Sequence, residues 1–119
     1  MKALLAIPSL LFFSLTSFAI TNYNCTDLNK VSGNMPVTLT VLSSTSVQIF
    51  GKPAVVDSKY APTQKNISFA RFHFTSDLQG MYSDFLIEKT LLKDAPNGFI
   101  KNEDKSEGFA VAVYRCTKI

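Results

Sequence analysis

The chain has no tryptophan, one histidine and two cysteines among its 119 residues, and each scarcity removes a class of chemistry. With His73 as the sole imidazole and no elbow motif or preferred serine in the sequence, a Ser-His-Asp arrangement has nothing to be built around. A zinc site wants about four ligands, and a redox pair wants two cysteines two residues apart; Cys25 and Cys116 offer neither. The five glycines, Gly33, Gly51, Gly80, Gly98 and Gly108, stand singly where turns are expected, so there is no glycine-rich nucleotide loop. Helical patterning is scarce too, since no stretch repeats apolar residues at three-and-four spacing while using good helix formers.

Acidic residues are present but do not converge. Asp84 and Glu88 share one face of a predicted strand, roughly 13 Å apart at about 3.3 Å per residue, beyond the roughly 5–9.5 Å that separates glycosidase carboxylates. Glu103, Asp104 and Glu107 fall in a predicted charged turn with Lys101 and Lys105, a mixture typical of solvated surface and without the ordered spacing of a calcium loop. His73 is expected at an ordinary, partly exposed strand position. The expectation is a protein that is not an enzyme and holds no cofactor or metal.

The first segment is of a different kind. Met1 and Lys2 precede an apolar run over residues 3–13, followed by Ser14, Leu15, Thr16, Ser17, Phe18 and Ala19. This is the layout of a secretory signal, with Ser17 and Ala19 as the small residues before a cut at Ile20. The apolar run is well short of the roughly 20 residues needed to cross a bilayer, and Pro8 would interrupt a packed helix. Residues 1–19 are therefore predicted to be a cleaved signal peptide and residues 20–119 a single all-β domain, secreted or periplasmic, with no transmembrane segment. Of twelve basic residues only Lys2 leaves with the signal, so eleven face nine acidic ones. The bases are spread singly from Lys30 to Lys118, which argues against nucleic acid as a partner.

In an exported chain, two cysteines are most simply a disulfide. Cys25 and Cys116 lie near the two ends of the predicted domain and would join its first strand to its last. Between them, strand signals recur. Residues 36–42 alternate Val37, Leu39 and Val41 with threonines; 45–50 place Val47 and Ile49 on one face; the two read as a hairpin. Residues 54–56 form a short edge strand after Pro53, and 57–65 a loop, the longest connection. In 67–74, Ala70, Phe72 and Phe74 make the core face, with Ile67, Phe69, Arg71 and His73 on the other, where Arg71 and His73 face solvent or a groove. Residues 82–92 resume alternation with Phe85, Ile87 and Leu91 on one face. After a break at 94–98 come a short strand, 99–103, and a central strand, 109–116. With a first strand around 23–26 there are seven or eight strands. That count predicts a small antiparallel barrel or a compact β-sandwich, closed by one disulfide; a barrel follows if the bridged strands are neighbours.

What remains for function is surface. Tyr60 in the longest loop, Phe69, Arg71 and His73 on the outward face of one strand, and Tyr82 at the start of the next form the predicted binding surface, since aromatics beside an arginine are typical anchors. Tyr60 packing the loop down and Phe69 covering a second core are the alternatives. Two sequons, Asn24-Cys25-Thr26 and Asn66-Ile67-Ser68, matter only in a glycosylating host. With terminal cysteines in Tyr23-Asn24-Cys25-Thr26 and Tyr114-Arg115-Cys116-Thr117, the β-rich chain resembles, in size, export and those cysteines, the small periplasmic lysozyme-inhibitor barrels. The resemblance implies an inhibitor of a wall-degrading enzyme and carries no inhibitory residues with it. The expected function is a non-enzymatic binding protein whose partner is a protein or cell-envelope component, with a small hydrophobic ligand less favoured. The alternative is a structural or surface-assembly component acting through an exposed sheet edge.

Overall fold

The computed structural model describes residues 19–29, 35–76, 84–103 and 110–119. The predicted signal peptide up to residue 18, the segment 77–83 with Tyr82, and the charged segment 104–109 lie outside the described residues. Eight strands follow in order: β1 (Thr21–Asp27), β2 (Val37–Val41), β3 (Ser46–Ile49), β4 (Lys52–Val56), β5 (Phe69–Phe74), β6 (Asp84–Glu88), β7 (Asn97–Glu103) and β8 (Ala110–Lys118). Each pairs antiparallel with the next, and β8 returns to β1, so the sheet is a closed barrel.

Alternation decides what is inside. Tyr23 and Cys25 of β1, Val37, Leu39 and Val41 of β2, Val47 and Ile49 of β3, Ala54 of β4, Phe72 of β5, Phe85 and Ile87 of β6, Ile100 of β7, and Tyr114 and Cys116 of β8 form one core, with Val56, Ala70, Phe74 and Ala112 packed against it. Phe74 and Phe85 meet edge to face at 6.2 Å between centroids, a geometry favoured by the ring quadrupoles. Eight strands make an interior just wide enough for side chains to fill or for one small ligand, and these side chains pack together in it. Cys25 and Cys116 are register partners across β1 and β8. Their disulfide, with Cα atoms 3.9 Å apart, lies inside the barrel at the seam where the sheet closes.

At the end where β1 begins, here the entry end, the connections 42–45, 57–68 and 89–96 and the last residues of the chain come together. Tyr23 reaches this end from inside and its hydroxyl lies 2.6 Å from Ala95 O and 3.2 Å from Leu91 O, sharing its proton between them. Burial, helped by the charge of Asp94, holds the Tyr23 phenol above its ordinary pKa. Asp94 accepts a hydrogen bond from Thr21 Oγ1 at 2.7 Å and pairs with Lys118 Nζ at 2.9 Å, and these two contacts, Thr21 first, hold its carboxyl below the usual range. The start of β1 and the end of β8 are thereby tied to one connection. The mirror arrangement lies at the far end, where buried Tyr114 stands opposite Asp27 and burial, then the Asp27 charge, raise its pKa.

Four expectations need correction. The segment 82–92 is not one strand: β6 stops at Glu88, and Leu91–Lys93 form a 3-10 turn that drops Leu91 and Leu92 into the core. Leu91 was expected on the face of Phe85 and Ile87 and does join them, by a turn and not by alternation. β7 begins two residues early, and Gly98 belongs to it, buried opposite Cys116; a Cβ there would lie 2.8 Å from Leu91 Cγ, so packing and not a turn requires this glycine. β4 is no edge strand, because it pairs with β3 and β5. Finally, Lys101 and Glu103 stand on β7, and Glu103 is buried instead of solvated.

Candidate functional site

A half-buried barrel wall should expose every second residue of a strand, yet β6 is buried along Asp84, Phe85, Leu86 and Ile87. Phe85 and Ile87 belong to the core, so Asp84 and Leu86 point outward and are covered from outside. Leu86 is 0 % exposed. In register it lies between Arg71 of β5 and Lys101 of β7, and both cations reach the connection 57–68. Arg71 places its guanidinium carbon 5.6 Å from the Tyr60 ring centroid, within cation–π range. Lys101 Nζ donates to Asn66 Oδ1 at 2.7 Å and stands 4.6 Å from the Phe69 ring centroid. The longest connection is therefore a strap laid over the outer wall of β5, β6 and β7, and Phe69, 8 % exposed, is packed beneath it.

Below the strap, Arg71 is locked from the other side. Its Nε donates to Asp84 Oδ2 at 2.7 Å and its Nη1 to Glu103 Oε1 at 2.5 Å. Asp84 and Glu103 are direct register partners on β6 and β7, and both are buried. Two carboxylates face to face repel; one guanidinium with its fork of donors satisfies both. Burial would lower the Arg71 pKa, but the hydrogen bond and charge of Asp84, followed by those of Glu103, outweigh it and leave the group above its ordinary value. The carboxylate pair that sequence spacing sought along one strand is thus a pair across two strands. A hairpin centred between Lys93 and Asp94 aligns Asp84 with Glu103, so the break at 94–98, combined with a register, carried the signal that spacing along one strand lacked.

Of the five residues expected to form a binding surface, the structure brings Tyr60 and Arg71 into contact and sets Phe69 two residues away on the same face of β5. His73 continues that face, partly exposed and opposite Val55 of β4. Tyr82 lies outside the described residues. Arg71 stands on the outward face, as expected, and Tyr60, Asp84 and Glu103 enclose it there. Three of the five anchor the strap, and the groups presented outward around it are different ones: Ile67, 59 % exposed at the end of the strap, and Phe99, 38 % exposed on β7. Sequence reading put Ile67 on the outer face without singling it out and missed Phe99, because alternation assigns a face and cannot say where a connection will lie.

The ionisable groups of this face hold one another and the strap. Among the described residues, no three histidine, cysteine or carboxylate side chains converge to hold a metal ion. Set against known proteins, the chain matches no family model, no curated protein and no solved structure.

Proposed function

We propose that this chain is an exported, non-enzymatic binding protein, secreted or periplasmic, that inhibits a wall-degrading enzyme by docking the strap and the adjoining wall of β5–β7 onto it. The observation that carries this reading is the fastening of the longest connection to a charge-locked wall through Tyr60–Arg71 and Asn66–Lys101. Loops held in shape on a rigid scaffold are where recognition concentrates, and a preordered loop loses little entropy when it binds. A buried disulfide and the signal-like leader support export. The apolar side chains packed together inside the barrel disfavour a carrier of small hydrophobic ligands. Closure of β8 onto β1 removes the sheet edge that strand-mediated assembly would need.

The test is titration of the exported protein against a panel of muramidases, following clearance of a wall suspension. Activity of one enzyme should fall to a floor at one equivalent. Ile67→Asp, which places a charge on the outward side of the strap, should weaken inhibition at least tenfold while leaving thermal stability unchanged. Full activity of every muramidase at tenfold excess overturns the inhibitor reading.

A further inference from the structure

Topology gathers lysines that the sequence spreads out. The connections at the entry end carry Lys59, Lys65, Lys89 and Lys93, and β8 ends there with Lys118; all five are exposed. The strap and the 89–96 connection lie side by side, since Lys89 N–H donates to Ser68 O at 2.9 Å. The acids at this end are held back by local bonds. Asp57 Oδ1 accepts from Lys59 N–H, Glu88 Oε1 accepts from Phe99 N–H, and Asp94 takes Thr21 and Lys118. Among the described residues, Lys59, Lys65, Lys89 and Lys93 enter no ion pair.

The rim also exposes aliphatic side chains singly: Ile67, with Ile20 at 63 % beside the start of β1 and Ile119 at 82 % beside the end of β8. We infer that the entry-end rim docks on the surface of an anionic phospholipid bilayer. The cations of this rim are all lysines, a residue type depleted from protein interfaces, where arginine is enriched. Lysine ammoniums near an anionic leaflet act as independent point charges and need no fixed partner geometry. Scattered isoleucines among them suit shallow insertion at the headgroup boundary. The barrel rests on the surface and does not span it: its apolar residues fill the interior and Asn22, Asn24, Thr26 and Thr38 face outward, the inverse of a transmembrane barrel. This inference rests on the rim and not on the inhibitor reading, so either can fail alone.

The experiment is sedimentation of the exported protein, its mass verified as starting at Ile20, with large vesicles of phosphatidylcholine alone or containing about a third phosphatidylglycerol. Binding is expected to the anionic vesicles only, and to be lost when salt is raised to 0.5 M, where charges are screened over a few ångströms. Replacing Lys65, Lys89 and Lys93 together by Gln should weaken it roughly 100-fold, at about fivefold per lysine. Lys52→Gln, exposed at the far end, should leave it unchanged. Equal binding to neutral vesicles, equal loss with Lys52→Gln, or undiminished binding of the triple variant would overturn the inference. So would retention on immobilised polyglutamate without vesicle binding, which would assign the rim to an acidic protein.

Discussion

Arg71 is the residue on which the outer wall depends. Removing it leaves Asp84 and Glu103 opposite each other, buried and without their shared cation. Breaking such a group by deleting one member usually costs about 3–5 kcal/mol. Arg71→Ala should therefore lower the urea midpoint by that equivalent, whereas converting Arg71, Asp84 and Glu103 together to Met, Leu and Leu should recover most of the loss. Equal losses for both variants would show that the cost is packing and not uncompensated charge. Arg71 was legible in the sequence as a residue of interest because it interrupts an aromatic strand. Its partners were not, because Asp84 is 13 positions away and Glu103 is 32, and only strand register brings them within reach.

The β3–β4 hairpin shows how an element can form despite a local cost. Its two-residue turn places Phe50 at φ 57° and Gly51 at φ 76°, the pair of left-handed conformations of a type I′ turn, for which Asn-Gly is preferred. Gly51 adopts this without strain; Phe50, 47 % exposed, does not recover the cost by full burial. Phe50→Asn should stabilise the barrel by about 1 kcal/mol, a rise in melting temperature of about 4–8 °C, and an unchanged or lower melting temperature would mean that the Phe50 ring is held by packing worth more than the turn. Element reading succeeded where one face is core and one is water, as in β1 and β2, whose burial alternates. It failed at 82–92, where a 3-10 turn and a continued strand both bury Leu91, and composition cannot separate them.

At the scale of the whole molecule, the barrel closes where its first and last strands meet. The Cys25–Cys116 bond spans 91 residues of sequence, and restricting so long a loop in the unfolded chain is worth about 4–5 kcal/mol. Cys116→Ala should lose about that much in denaturant unfolding. Because Cys25 is fully buried, its freed thiol should label at the rate of barrel opening and rapidly only in denaturant; rapid labelling under native conditions would mean that the seam opens without the bond.

The amino-acid sequence alone determined that the domain is all-β, which residues of β2, β3 and β6 share a face and which two cysteines pair. Each of these follows from local facts: a side-chain period of two, turn residues at intervals, and a cysteine count that allows one intramolecular pairing. Barrel against sandwich, the carboxylates that meet Arg71, the strap over Leu86 and the lysines gathered at one rim were decided only in the tertiary structure. They depend on strand register and on which ends of the strands the connections share, and both are set when the sheet closes.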